Sequence, residues 1–466
     1  MITVTVLLDG PADPWHDACL RSLASIPDTD IRPRTGAEAE DHAVPSGVII
    51  DLRAGGTPPA PGAWRVLRDD GHPFGAPHLF AEVFGRPDRL ASVLVVDGHN
   101  TVLRRADLSS VGRRLTRLRA TAGRLAVAML GAALRNHIAG IELPRPIFEA
   151  PRPRRPFGVA ARLGGQVRHG IATLRQAAYT EFWHIGILDA PISSVLETPT
   201  PRGVRWVKAP AGTIYHADPF ARPETQDEIW CERYDYATRH GVLERTRLTG
   251  DHLESLGDLE APVHRSYPFM THLGDTPTGT ASLLVPEACA GGQTTLYRLN
   301  QDGTLGDPVA VLPVPGIDPV LFWWHGRLWL ALTRADLDNR SNLCVWHAPT
   351  PAGPWTPHTG NPVKLDVRSS RGGGTPFVHD GVLYRPAQDC SRTYGGRVVV
   401  NRVLELTPTR FREEVAVVVS PAPDWPAPHG LHTLSAFGDR TLLDAKREVP
   451  SLAAAAVRIR ARVARR

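Results

Sequence analysis

The sequence predicts a mainly β chain: a five-bladed β-propeller preceded by a small α/β domain. Three observations predict it. Proline and glycine take 43 and 42 of the 466 positions with no low-complexity tract, too many turn formers for a helical protein. A short motif recurs five times in the C-terminal half. A strand-like run follows each copy and tends to end in a polar residue.

The copies are HADPF (His216–Phe220), SYPF (Ser266–Phe269), IDPVLF (Ile317–Phe322), GGTPF (Gly373–Phe377) and GLHTLS (Gly430–Ser435). From Asp218 the intervals to Tyr267, Asp318, Thr375 and His432 are 49, 51, 57 and 57 residues, the length of a four-stranded blade. The following runs are EIWCE to Glu232, SLLVPE to Glu287, RLWLALT to Thr333, VLYRPAQD to Asp389 and RTLLDA to Asp444. Hairpin signals fall between the two strands, as in Trp324-His325-Gly326-Arg327 and His379-Asp380-Gly381. Trp183–Leu188 or Val204–Lys208 is available to complete the ring. A two-sheet sandwich predicts no repeat of this length.

Residues 1–142 read as the α/β unit: strands at Ile2–Leu8, Gly47–Asp51, Trp64–Leu67 and Leu90–Val96, helices at Pro14–Ile26 and about Arg113–Ile138. The second helix carries six arginines, including Arg124 and Arg135, read as a solvated face. Residues 143–180 hold PRPIFEAPRPRRP, a Pro/Arg-rich linker, and a short helix around Gly170–Ala178. The propeller is expected over 181–450 and a short basic helix over 451–466.

Lys and Arg outnumber Asp and Glu by 53 to 48, and the net charge of +5 gives no reason to expect nucleic acid. The longest apolar run, Leu125–Leu134, is half of what a membrane span needs, so no transmembrane segment is expected. Five cysteines without a CxxC pair, behind an N-terminus that lacks a secretory signal, fit the cytoplasm. GxGxxG, Walker and GxSxG motifs are missing, so no cofactor is expected.

In a propeller the innermost strands line one axis, so Asp218, Tyr267, Asp318, Arg371 or Thr375, and His432 converge, with Glu232, Glu287 and Asp389 beside them. Paired carboxyls across a pocket are what glycosidic chemistry needs: one protonated acid for the leaving oxygen, one ionised base or nucleophile. Asp218, Glu287 and Asp318 are the catalytic candidates. Glu232, Tyr267, Arg371, Arg385, Gln388, Asp389, Tyr394 and His432 are the substrate-binding candidates, a donor and acceptor set suited to sugar hydroxyls. The competing reading makes each Asp-Pro aspartate a turn cap and each strand-end acid a latch between blades. His429 and His432 are three apart without a third ligand nearby in sequence, so no metal is expected. Trp323, Trp324, Trp329, Trp346 and Trp355 read as blade packing.

HADPF, RSYPF with the VPE glutamate eighteen residues after its Phe, IDPVLF, GPWTPHTGNPV, YRPAQDCSRTYGG, LTPTRF and GLHTLS resemble, in that order, the N-terminal propeller domain of the glucosamine inositolphosphorylceramide transferase family. The resemblance runs from about Trp206 to Asp444 and implies the five-bladed fold of arabinanase and β-xylosidase glycosidases. It implies Asp218 as the general base. The glycosidases' second Asp corresponds to Tyr267 here, and their Glu acid to Asp318. The resemblance implies that the family's transferase activity belongs to a separate C-terminal domain, for which the stretch up to Arg466 is expected to leave no room. GAWRVLRDDG and FAEVFGRPDRLASVLVV are similar to stretches of formyltransferase-like proteins. Two functions follow as expectations: a carbohydrate-active enzyme working at a glycosidic bond through funnel carboxylates, or a non-catalytic sugar-recognition or scaffold propeller serving a separate glycosyltransferase. In both the ligand is a sugar or a glycosylated small molecule.

Overall fold

The computed structural model describes residues 1–10, 13–35, 47–55, 62–75, 90–142 except 112, 146–147, 167, 171, 179–259, 263–276 and 279–450. Most of the Pro/Arg-rich stretch, the helix expected around Gly170–Ala178 and the basic helix expected over 451–466 lie outside them. The chain forms two compact units, Met1–Thr173 with Thr359–Asp366, and Leu174–His358 with Val367–Arg466.

The first unit holds β1 (Ile2–Leu8), α1 (Pro14–Ala24), β2 (Thr29–Thr35), β3 (Val48–Asp51), β4 (Trp64–Arg68), β5 (Leu90–Val96), β6 (Val102–Ser109) and α2 (Leu115–Ile138). Its sheet has the order β2-β1-β3-β4-β5-β6, parallel through β4 and antiparallel beyond. Asp13 starts α1 by accepting the Trp15 and His16 amides, both at 2.9 Å, and Pro14 stands where no amide is needed. Two strands escape the sequence pattern. β2 is polar and carries Pro33, which an edge strand tolerates, and β6 is interrupted by Arg104 and Arg105. The arginines of α2 are not all solvated: Arg135 donates to the carbonyls of Thr359 and Asn361 at 3.0 and 2.7 Å. More than half of that helix is buried through its apolar and small residues, while Arg114, Arg117 and Arg124 stay exposed.

The second unit is a five-bladed propeller of four-stranded sheets. Strand β7 (Tyr179–Leu188) and β8 (Arg205–Trp206) come first. Blade one follows with β9 (Ile214–Ala221), β10 (Glu228–Asp235), β11 (His240–Thr249) and β12 (His252–Leu259), and blade two with β13 (Ser266–Thr276), β14 (Gly279–Glu287), β15 (Thr294–Leu299) and β16 (Leu305–Leu312). Blade three is β17 (Gly316–Trp324), β18 (Arg327–Arg334), β19 (Cys344–Ala348) and β20 (Thr356–Pro357), and blade four is β21 (Phe377–His379), β22 (Val382–Asp389), β23 (Arg397–Leu406) and β24 (Phe411–Val419). Blade five joins the two ends of the unit. Its inner strands are β25 (Gly430–Phe437) and β26 (Arg440–Pro450), and β7 and β8 complete it. Strand β26 pairs with β7 without a break from Thr441↔Leu188 to Pro450↔Tyr179, so both stretches that the sequence offered for closure are used. Apolar side chains fill the gaps between blades: Ile185, Ile229, Cys231 and Leu442 between five and one, Phe377, Val398, Leu431 and Leu434 between four and five.

The recurring motif is a β-bulge. Pairing slips between Ala217 and Phe220, Ser266 and Phe269, and Ile317 and Val320, and again around His432. Asp218, Tyr267 and Asp318, each before a proline, sit in the left-handed region at φ 50°, 48° and 46°. Such backbone costs of order 1–3 kcal/mol per residue for a side-chain-bearing amino acid, so the surrounding sheet has to hold it. Blade four differs: Thr375, the residue before its motif proline, is not in the left-handed region, and the positive φ falls one residue earlier, at Gly374 (+129°), where a Cβ would stand 1.7 Å from the Leu434 carbonyl oxygen of blade five. Gly374→Ala is therefore expected to lose at least about 2 kcal/mol of propeller stability in equilibrium denaturation, whereas the same change at exposed Gly438 costs less.

Candidate functional site

A bulge turns the side chain of its extra residue out of the alternating pattern, and here it aims four of them at the axis. Asp218, Tyr267, Asp318 and His432 are all at most 4% exposed. They form two linked clusters.

The first joins blades one and five. Asp444 Oδ2 accepts the Asp218 amide at 2.8 Å, and Asp444 Oδ1 accepts the Thr433 amide at 2.9 Å and lies 2.7 Å from His432 Nδ1. The other imidazole nitrogen, Nε2, stands 3.4 Å from Asp218 Oδ1, which also accepts the Thr433 hydroxyl at 2.9 Å. Trp183 of β7 stacks flat on the imidazole, with centroids 3.7 Å apart. His432 is thus fixed between two carboxylates. Burial pushes Asp218 up to about 7 against the pull of His432, and Asp444 and Asp318 add to the rise. Burial works against the charge on His432, yet Asp444 and Asp218 overcome it and the imidazole pKa is raised. Asp218 Oδ2 has no hydrogen-bond partner among the described residues.

The second cluster joins blades two, three and four. Arg371 forks onto Asp318, with Nε at 2.5 Å from Oδ2 and Nη2 at 3.2 Å from Oδ1, and Gln388 Nε2 donates to the same Oδ2 at 2.6 Å. Nη2 of Arg371 also reaches the Tyr394 hydroxyl at 3.2 Å and Glu287 at 3.9 Å. Glu287 Oε2 accepts the Asp318 amide at 3.3 Å, the same inter-blade latch that Asp444 makes to Asp218. Burial raises Asp318 to about 7, opposed by Arg371 and helped by Glu287. Tyr267 crosses from blade two to blade four, its hydroxyl accepting the Gly374 amide at 2.7 Å.

Glu232 lies on β10 opposite Ala217, one residue before Asp218. Burial, then the charges of Asp218, Glu287, Asp444 and Asp318, push its pKa well above the carboxylate range. His264 Nε2 stands 3.4 Å from Oε1, and no hydrogen bond reaches the carboxyl among the described residues. Beside it is an aromatic wall: Tyr215 stacks on Tyr234 at 5.2 Å, and Tyr236 and Phe182 close in at 5.7 and 6.4 Å. Tyr215 is raised by burial and by the nearby Glu232, which ties the wall to the carboxyl.

Two candidates stand elsewhere. Arg385 forks onto Glu413 at 2.6 and 3.0 Å and donates to the Ser369 and Ser370 carbonyls, all within blade four. Asp389 caps Ser391 at 2.9 Å and pairs with Arg397 at 2.5 Å. Their strand alternates, so of Gln388 and its neighbours only Gln388 meets Asp318. Sequence reasoning left Asp444, Thr433, Trp183, Tyr215 and buried Lys446 out of the site. Lys446 donates to Glu181 at 2.9 Å, the Thr393 hydroxyl at 2.8 Å and the Tyr394 carbonyl at 2.7 Å, which fixes the loop bearing Tyr394. Asp444 carried a usable signal, because it ends its strand as Glu232 and Glu287 end theirs. Among the described residues, two trios have their ligand atoms within 4.8 Å of one another and could hold a metal ion: Asp218, His432 and Asp444, and His216, Cys231 and Glu244.

Residues 235–423 match the family model described as glucosamine inositolphosphorylceramide transferase 1, N-terminal. That stretch contains Tyr267, Glu287, Asp318, Arg371 and Gln388, and stops short of Asp218 and His432. The chain is 32% identical over 163 residues to glucosamine inositolphosphorylceramide transferase 1 of Oryza sativa subsp. japonica, covering 33% of this chain and 21% of that protein. It is 31% identical over 161 residues to the Arabidopsis thaliana protein of the same name, covering 33% and 20%. The chain thus spans about a fifth of the length of these curated relatives. Among solved structures, a GH43_1 enzyme from Xanthomonas citri aligns over 55% of this chain and 92% of its own, with 15% identity and a TM-score of 0.34. An exo-beta-1,3-galactanase from Phanerochaete chrysosporium aligns over 43% and 50%, with 10% identity and a TM-score of 0.34.

The raised acids make stability depend on pH. Folded Asp218 keeps its proton to about pH 7, whereas its ordinary value is 3.8, so its contribution is full below the ordinary value and lost as pH rises through 7. His432, also raised, acts in the same sense from its ordinary value of 6.5 upward. Asp218→Asn is expected to gain stability relative to the native chain between about pH 4 and 7, by up to about 1.4 kcal/mol per pH unit, in urea denaturation run across that range. A difference that stays flat with pH would contradict it.

Proposed function

We propose that the propeller funnel binds a sugar-bearing substrate and works at its glycosidic centre, with Glu232 as the proton donor and Asp218 as the base. The observation that carries this reading is the pairing of two adjacent buried carboxyls whose surroundings separate their pKa values. Glu232 is held protonated by burial and surrounding negative charge, and Asp218 is brought near neutrality with His432 beside it. The wall of Tyr215, Tyr234, Tyr236 and Phe182 offers the apolar face on which a sugar ring stacks, next to the proposed acid. Asp318 and Glu287, placed by the sequence among the catalytic residues, act in this reading as the frame that fixes Arg371 and Tyr394. The relatives are named glucosamine inositolphosphorylceramide transferase 1, which supports a sugar-bearing substrate for this chain too. The five cysteines, none of them in a disulfide, support a reducing compartment, the cytoplasm.

The second reading is a non-catalytic sugar-recognition propeller that serves a separate glycosyltransferase. One observation favours it: Arg371 and Gln388 occupy both oxygens of Asp318, the position of the acid in the glycosidases that the sequence resembles.

A panel of aryl glycosides and nucleotide sugars distinguishes the two. The catalytic reading expects turnover that falls about 10²- to 10⁴-fold in Asp218→Asn and in Glu232→Gln while binding by calorimetry survives, and binding that weakens in Tyr215→Ala. Binding without turnover in the native chain selects the second reading. Turnover that persists in the Asp218→Asn, Glu232→Gln double variant removes the proposed acid and base.

A further inference from the structure

The unit built from Met1–Thr173 and Thr359–Asp366 contains a cavity of about 200 Å³. Trp64, Leu103 and Arg104 wall it from the sheet, and Ala133, Asn136 and His137 wall it from α2. Two polar atoms in that wall are buried without a hydrogen-bond partner: Nε of Arg104, a donor, and Oδ1 of Asn136, an acceptor. The Arg104 guanidinium makes one hydrogen bond, from Nη2 to the Gly360 carbonyl at 3.3 Å, and pairs with no carboxylate among the described residues. Burial, together with the positive charge of neighbouring Arg135, pulls its pKa down to about 10. Asp97 also lines the cavity, but its Oδ1 is taken by the His99 and Thr101 amides at 2.8 and 2.9 Å, which commits it to its own turn.

A half-buried guanidinium whose Nε is buried without an acceptor, and a buried amide oxygen without a donor, are both costly, and they are ordinarily answered by a partner. The partner has to bring an oxyanion for the guanidinium and a hydrogen-bond donor for Asn136. The cavity exceeds the roughly 30 Å³ share of a single water several times over and is smaller than the roughly 300 Å³ at which drug-sized pockets begin. Trp64, set edge-on to His137 at 5.7 Å, and Leu103 give the remaining wall an apolar surface for a carbon skeleton.

We propose that this cavity binds a small organic anion, a carboxylate or a phosphate monoester with a neighbouring hydroxyl, its oxyanion on Arg104 and its hydroxyl on Asn136. Nothing in it is shared with the propeller funnel, so it stands or falls apart from the sugar-handling reading.

Calorimetry and thermal melting of the full chain test it with two probes, lactate for the carboxylate and glycerol 3-phosphate for the phosphate, and glycerol as the uncharged control. The expected result is saturable binding of at least one anion, with a matching rise in melting temperature and no response to glycerol. Which anion binds identifies the source of the oxyanion. Arg104→Gln is expected to weaken that binding at least about tenfold. Ala133→Leu, which leaves the arginine in place and fills the cavity, gives the same loss if the first variant fails to fold. The proposal is overturned if neither anion binds, if glycerol stabilises the chain as well as the anions do, or if folded variants bind like the native chain.

Discussion

The bulge before Pro219, Pro268 and Pro319 is the constraint from which the funnel follows. An unbroken inner strand would alternate its side chains between the two faces of the blade, and none would be driven toward the axis. Inserting one residue in the left-handed region turns Asp218, Tyr267 and Asp318 inward together. The strain is held by the second strand of a neighbouring blade: Asp444 accepts the Asp218 amide and Glu287 accepts the Asp318 amide. Each carboxylate that fixes a bulge therefore also joins two blades, and the electrostatics of the axis and the closure of the ring are one problem.

That coupling explains why so many acids can be buried together. Asp318 is answered by the guanidinium fork of Arg371 and by Gln388, and Asp444 by three amides and an imidazole. Burial first, and then the field of those acids, raises the carboxyls with fewer hydrogen bonds, Asp218 and above all Glu232. The same residue types thus differ in how many donors each carboxyl meets, although burial raises Asp318 to about 7 as it does Asp218.

Much of the propeller was legible in the sequence because each blade repeats one local solution: a motif, a strand, a hairpin signal and a second strand. Asp218, Tyr267, Asp318 and His432 could be placed on one axis by counting, since equal intervals put equivalent residues at equivalent positions. Arg385 and Asp389 could not be excluded in that way. They share a strand with Gln388, and only its pairing register says which of its side chains meets Asp318 and which serve blade four. The aromatic wall was equally hidden, because Tyr215 and Tyr234 belong to two strands, Tyr236 to the turn after the second, and Phe182 comes from the far end of the unit.

The sequence by itself determined the periodicity, the bulge motif and the inventory of acids, all of which are local and repeat along the chain. The tertiary structure alone decided that β7 closes blade five and brings Trp183 onto His432, and that Arg371 rather than solvent neutralises Asp318. It also left the Arg104 Nε of the first unit buried without an acceptor, with no counter-ion for the guanidinium among the described residues. The reason is physical: hydrogen-bond satisfaction and burial depend on which distant segments meet, and those set whether a given carboxylate or guanidinium is frame, reagent or an open binding position.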